Sequence, residues 1–433
     1  MTRTKKLIFA TTGIIILGVI AYGLFEYRTH MNPPISRLKP GGYYEEMPSD
    51  SHHIYIQLPL DHFNQASGTY TAFYLLSPSF NPEKEPVFQI YDNQQEMVGM
   101  IRSSADFEPF DDRIGRNKSY VLIGNRGVSP TLFPEVFKKD GKPDYGMAMN
   151  LYGSQQQIED IESVRLDLLK RGLLKGEGKI MLYGGSGGGV LIQQYLDKYG
   201  EHVSRVLLES TGAMDLSRMN NSTFIRSQYD SNKEAAGLYF QLYTRKKTSP
   251  SLAWLVFKLG LDGRTDLQNK ILEAKNAGFN PQGEWLWFKN WINPAKNYPL
   301  ISSIFRFPSE LEVKVRIWEV SGYDLVNYHP KSAEEIIPLY EVLQSFLKEF
   351  LEAYRKGEIG IFNFSPDRST FKGEVLIFAN TGDQDFGPAI AKQIGEAYPN
   401  SRLLIFDENA HHKLKKDASQ MQITEDFFMN GLH

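Results

Sequence analysis

The chain has 433 residues, 41% of them hydrophobic and 13% aromatic, which is ample for a large buried core. A formal net charge of −3 lacks the clustered basic excess that a nucleic-acid partner wants, so none is expected. With no cysteine in the sequence, disulfides, thiol catalysis and cysteine-ligated metals are excluded.

Taken in chain order, the first feature is an apolar run from Leu7 to Phe25 led by Arg3, Lys5 and Lys6. At ~19 residues it has nearly the length needed to span a bilayer. Residues 1–28 are therefore expected to anchor the chain in a membrane, with the basic end cytoplasmic. Ala21-Tyr22-Gly23 makes only a weak cleavage site. The catalytic body is expected outside the cytoplasm, either anchored or, after cleavage, secreted or periplasmic. Residues 29–47, with Pro33, Pro34, Pro40, Gly41 and Gly42, read as a tether.

Strands follow. His53–Leu58 alternates as a half-buried strand does, and Thr69–Leu76 reads as a second. Val87–Tyr91 and Tyr120–Gly124 are short apolar runs suited to burial on both faces. Ile158, Ile161, Val164 and Leu168 recur at helical spacing behind a possible cap at Ser154. Lys179–Tyr183 is another buried strand, Val190–Tyr199 a helix stopped at Gly200, and Val203–Leu208 a strand. This alternation predicts a parallel sheet covered by helices on both faces. From 213 to 368 the pattern is mostly helical, with Trp254, Trp285, Trp287 and Trp291. Alternation resumes with strand Glu374–Asn380, helix Pro388–Tyr398, strand Arg402–Phe406 and a last helix over Ile423–Met429. The expected organisation is a core over 48–212 and 369–433, interrupted by a helical cap over 213–368.

Chemistry concentrates at Gly184-Gly185-Ser186-Gly187-Gly188-Gly189, a Gly-x-Ser-x-Gly turn between a predicted strand and a predicted helix. That setting presents a serine hydroxyl on a sharp turn, with a helix N-terminus beneath developing negative charge. No Gly-Lys-Ser/Thr follows, so the turn is not a phosphate loop. A serine needs a base and an orienting acid, which in this setting follow in the order Ser, Asp or Glu, His. The resumed core supplies Asp383 and Asp385 after one strand, and His411 and His412 after the next. No histidine has metal-ligand spacing with carboxylates, so neither a metal nor a cofactor is expected. These features predict an α/β-hydrolase fold with an inserted helical cap.

The chain resembles the α/β-hydrolase-fold exopeptidases, most closely the prolyl aminopeptidase and tripeptidyl aminopeptidase family. The segments that carry the resemblance are Asn125-Arg126-Gly127, Asp160-Ile-Glu-Ser-Val-Arg165, the Gly-Gly-Ser turn, Gly382-x-x-Asp385 and Asn400–His411. Pro59-Leu60-Asp61-His62-Phe63-Asn64 and Ala410-His411-His412 look instead like the prolyl carboxypeptidase family. The resemblance implies catalysis by Ser186, Asp385 and His411 on peptide or small acyl substrates, with the backbone N–H of Gly187 in the oxyanion hole. The second donor would come from near Asp92 or Asn93, and Asn93 is taken here. The equivalent loop, Gln89–Met97, departs from the family pattern in having no glycine. Implied activities are an exported aminopeptidase-like peptidase, then a carboxylesterase or lipase with the same triad, then a non-catalytic binding protein of this fold.

Overall fold

The computed structural model describes residues 52–90, 103–115, 118–124, 133–219, 227–279, 281–292, 309–409 and 416–432, together with residues 18, 21, 50, 98, 101, 126, 127 and 411. The expected anchor, apart from Gly18 and Ala21, and the tether lie outside these, as do Asn93, Asn125 and His412. Among the described residues no helix is long and apolar enough to cross a membrane.

Eight strands form one sheet. They are β1 (His53–Pro59), β2 (Thr69–Leu76), β3 (Val87–Ile90), β4 (Tyr120–Ile123), β5 (Ile180–Gly185), β6 (Val203–Glu209), β7 (Glu374–Asn380) and β8 (Ser401–Phe406). Their spatial order is β1-β2-β4-β3-β5-β6-β7-β8. Pairing is antiparallel at β1–β2 and β2–β4 and parallel from β4 onward. This is the α/β-hydrolase sheet, and it matches the fold expected from the sequence.

The apolar runs work because the side-chain period of a strand is two. Phe88, Val121, Leu182, Val206 and Ile377 join one hydrophobic cluster, while their neighbours Val87, Leu122, Met181, Leu207 and Leu376 join another. The first cluster is completed by helices α2 (Tyr145–Tyr152), α3 (Ser154–Lys170), α4 (Gly187–Tyr199) and α14 (Pro388–Ala397). The second is closed by α1 (Glu108–Ile114) and α15 (Ala418–Asn430).

Between β6 and β7 the described residues are mostly helical, as expected. The helices are α5 (Met214–Met219), α6 (Ser227–Ser231), α7 (Lys233–Thr244), α8 (Pro250–Leu261), α9 (Thr265–Asn276), α10 (Pro281–Ile292), α11 (Ser309–Val326), α12 (Pro338–Phe346) and α13 (Lys348–Arg355). They split in their allegiance. Tyr239, Leu255, Val256, Ile271 and Leu272 form a core of their own with Ile336. Val315 and Trp318 of α11, Tyr340 of α12 and Phe350 of α13 instead extend the cluster under the sheet.

One expectation is corrected and one is met. Ser154 does not cap α3; it is the first residue of that helix, and Gly153 occupies the cap. Its N–H donates to both Glu319 carboxylate oxygens, at 2.9 and 3.0 Å, and its hydroxyl donates to Glu319 Oε1 at 3.0 Å. A carboxylate from α11 thus serves the helix N-terminus, where negative charge is favoured. Gly200 follows Tyr199, the last residue of α4, as expected. At φ −60° it stays helical and leads into a short 3₁₀ turn, Gly200–His202.

Segments that carried the family resemblance meet in one buried cluster. Arg126 donates from Nε and Nη2 to the two oxygens of Asp160 at 2.6 and 2.7 Å. Its Nη1 donates to the carbonyls of Leu60 and Leu151, both at 2.9 Å. Tyr70 donates its hydroxyl to Asp160, and His62 Nε2 lies 2.7 Å from the same carboxylate. This planar bidentate pair, with its remaining lone pairs satisfied, ties β1, the segment after β4 and α3 together. Its role is architectural.

Candidate active site

Ser186 stands where the sequence placed it, between β5 and α4. Its backbone lies at φ 50°, ψ −128°, a conformation few non-glycine residues adopt. Such strain costs on the order of 1–3 kcal/mol and persists only where surroundings enforce it. Here the Ser186 N–H donates to the Glu209 carbonyl at 3.0 Å, and its carbonyl accepts from Thr211 Oγ1 at 2.6 Å. The turn also needs bare backbone nearby. A Cβ on Gly189 would stand 2.5 Å from Thr211 Oγ1 and 2.7 Å from its Cβ. Gly187 opens α4, so its N–H has no intrahelical acceptor and is available to an oxyanion.

The candidate base and acid follow β8 and β7; β8 pairs with β7, β7 with β6 and β6 with β5. All four run parallel, so their C-terminal ends, where open α/β sheets bind ligands, share one edge. His411 is buried. Its Nδ1 lies 3.0 and 2.9 Å from the two oxygens of Asp383. The carboxylate that meets the imidazole is therefore Asp383, and not Asp385 as the family pattern had selected.

The reason lies in a tight turn. Asp383 N–H donates to the Asn380 carbonyl at 3.3 Å, and Asp383 Oδ1 accepts from the N–H groups of Asp385 and Phe386 at 2.8 and 3.0 Å. The Asp383 side chain organises the loop from inside and reaches the ring. Asp385 contributes its backbone N–H to that arrangement, and its carboxylate makes no hydrogen bond among the described residues.

Burial works against a charged imidazole. Asp383 overcomes it by charge and hydrogen bond, with Asp385 and Glu209 adding to the effect, and His411 is raised to about 9. Asp385 is itself raised to about 6, chiefly by burial; His411 pulls the other way and Asp383 adds to the rise. An ionised Asp383 only accepts hydrogen bonds, so the proton of neutral His411 sits on Nδ1 and Nε2 is left as an acceptor.

Residues the sequence gave no reason to choose hold these groups. Ser210, also at positive φ (44°), donates its hydroxyl to the His411 carbonyl, which accepts from Asn380 Nδ2 as well, at 3.2 Å. Ser210 and Thr211 thus hold the backbones of His411 and Ser186 from adjacent positions. Behind them Lys416, buried, lies 3.1 Å from Glu209 Oε2 and 4.4 Å over the Tyr183 ring. Tyr183 donates to the same Glu209 oxygen at 2.6 Å. Their only sequence signal was position, since polar residues just past an apolar strand are candidates at a sheet's C-terminal edge.

The cap reaches the site directly. His411 N–H donates to the carbonyl of Leu261, the last residue of α8, at 3.1 Å. Gln384, between the two aspartates, accepts from Gln268 Nε2 of α9 at 3.0 Å. Gln268 in turn donates to the Val256 carbonyl and accepts from Asn232 Nδ2, both at 2.7 Å. No group of three or more metal-binding side chains occurs among the described residues.

No family model matches the chain. No curated protein matches it in sequence. Solved structures do match. An α/β-hydrolase enzyme from a Medee basin deep-sea metagenome library is 12% identical, covers 84% of this chain and 95% of its own, and has a TM-score of 0.40. A 2-hydroxy-6-oxo-6-phenylhexa-2,4-dienoate hydrolase from Rhodococcus is 14% identical over 87% of this chain and 98% of its own, at TM-score 0.40. An esterase from Exiguobacterium antarcticum is 16% identical over 83% and 95%, at TM-score 0.36. Likenesses this distant are silent about chemistry; the strand order by itself identifies the α/β-hydrolase fold.

Proposed function

We propose that the chain is a serine hydrolase whose nucleophile is Ser186, whose general base is His411 and whose orienting acid is Asp383. One observation carries the reading. A strained serine at a strand-to-helix turn shares a sheet edge with a buried His–Asp pair whose carboxylate meets the imidazole at Nδ1. His411 Nε2 takes the hydroxyl proton as Ser186 Oγ attacks an acyl carbon. The Gly187 N–H, at the positive end of α4, receives the oxyanion. The imidazolium returns the proton to the leaving group, and water then hydrolyses the acyl-enzyme by the same relay.

Within that class, the reading is an exported, aminopeptidase-like peptidase acting near chain ends. The motif resemblance supports it. So does a cap whose helices touch both the base and the acid loop, because a covered site admits chain ends and small substrates more readily than folded protein.

The test is fluorophosphonate labelling of the body from Thr29 onward, with the adduct mapped by mass spectrometry. Adduct on Ser186 that disappears in Ser186→Ala and His411→Ala is the expected result. A folded wild type that takes no label overturns the catalytic reading and favours a binding protein. Turnover of aryl esters with none of aminoacyl amides or short peptides would replace the peptidase by an esterase.

A further inference from the structure

Lys416 lies inside the core, with 1% of its side chain exposed. Lysine is almost never fully buried unless it is paired. Its Nζ donates to the Arg113 carbonyl of α1 at 2.7 Å and lies 3.1 Å from Glu209 Oε2. The Tyr183 ring is 4.4 Å away and the Phe378 ring 5.8 Å away. Tyr183 donates its hydroxyl to the same Glu209 oxygen at 2.6 Å. Burial pulls the ammonium below its ordinary value; Glu209 opposes that fall and Arg113 adds to it. An apolar pair of similar volume is often no less stable than a buried ion pair, so stability is a poor account of this one. Geometry gives a better account.

Glu209 meets both halves of the candidate site. It is the last residue of β6, and its carbonyl accepts the Ser186 N–H at 3.0 Å. Its carboxylate meets Lys416, which follows His411 closely in the chain. The next residue, Ser210, donates its hydroxyl to the His411 carbonyl. Residues 411 and 416 are thus both fastened to the end of β6, at adjacent positions. Just past Lys416, Asp417 caps α15 by accepting from the Gln420 N–H at 2.8 Å.

We infer that Lys416 is a positioning residue, which through the Glu209 carboxylate keeps the His411 imidazole aligned with the Ser186 turn. This deepens the proposed function and rests on its assignment of Ser186 and His411. The Lys416 ammonium meets Arg113, Glu209 and two aromatic rings, so it acts through other groups. Holding geometry is enough to matter, because a displacement of about 1 Å costs on the order of 10²-fold in rate.

The experiment replaces Lys416 by methionine, which is of similar length and uncharged, in the full chain. Lys416→Met combined with Glu209→Gln is made alongside; it leaves no unpaired carboxylate and so guards against a single variant that fails to fold. Circular dichroism and urea melts report folding. Hydrolysis of p-nitrophenyl acetate gives kcat and KM. The far-downfield proton resonance of the His411 Nδ1–H, bonded to Asp383, reports the imidazole directly. Each folded variant should lose about tenfold or more in kcat with KM little changed, and should shift or lose that resonance. A Lys416 that serves stability alone would lower the urea midpoint and leave kcat and the resonance of the folded protein as in wild type; that result overturns the inference. A fall in kcat with the resonance unchanged overturns it as well. The resonance needs no turnover. A wild type that takes no fluorophosphonate label therefore refutes the hydrolase reading separately, while the resonance still decides whether Lys416 positions His411.

Discussion

Asp383→Asn isolates the acid. The substitution keeps the shape of the side chain and removes its charge. In the native site Asp383 leads the groups that raise His411 from an ordinary value to about 9, against the opposing effect of burial. A net rise of about 2.5 units is worth about 3 kcal/mol, so loss of that support costs a factor of about 300 wherever imidazolium forms in the transition state. Tautomerism adds to this. An amide that turns its NH₂ toward Nδ1 leaves the ring proton on Nε2, which then cannot accept from Ser186, and such a change costs about 10⁴ in kcat in a studied triad. The expected outcome is a kcat loss between about 10² and 10⁴, with KM much less affected. Asp385→Asn, which removes a more weakly acting charge, should lower kcat less than about tenfold. The assay is steady-state hydrolysis of one activated ester, with circular dichroism to confirm folding. If Asp383→Asn stays within tenfold of wild type while Asp385→Asn loses several orders of magnitude, the acid has been misassigned and the family alignment was right.

The base must be neutral to accept a proton, and His411 is raised to about 9, so kcat/KM for a neutral ester should climb with pH until about 9. In Asp383→Asn the rise should move down by more than one unit; a wild-type profile already flat above pH 7 would contradict the buried His–Asp pair. Gly189→Ala should push Thr211 off the Ser186 carbonyl, lowering stability by about 1–3 kcal/mol in urea melts and labelling at Ser186 at least tenfold. Normal stability with normal labelling would show that Thr211 yields freely. Asp160→Asn leaves the buried Arg126 charge poorly paired and should cost about 3–5 kcal/mol in the same melts. Burial opposes the Asp160 charge but Arg126 and His62 hold its carboxyl below the ordinary value, so its stabilisation is present above about pH 4 and fades as pH falls toward the folded value. Asp160→Asn stability that matches wild type at pH 7 would refute the clamp.

Sequence by itself determined the layout. Apolar runs such as Ile180–Tyr183 are long enough for one buried strand and too short for a helix, and their alternation with amphipathic segments dictates a covered parallel sheet. It also located the candidate nucleophile, because a glycine-flanked serine between a strand and a helix is local chemistry, and the candidate base, because His411 lies just past the last strand. Tertiary structure decided what depends on direction. Asp383 and Asp385 are equally acidic and two residues apart, and only the turn that Asp383 itself closes determines which carboxylate faces the imidazole. The same holds for Ser210 and Thr211, whose partners are distant in sequence, and for Glu319, which caps a helix 165 positions away. The cap was legible as helices but not as a wall of the site, because the Leu261 carbonyl and Gln268 meet the catalytic loops only once α8 and α9 have packed. Periodicity reports which face of an element is buried; it carries no information about what lies across from that face.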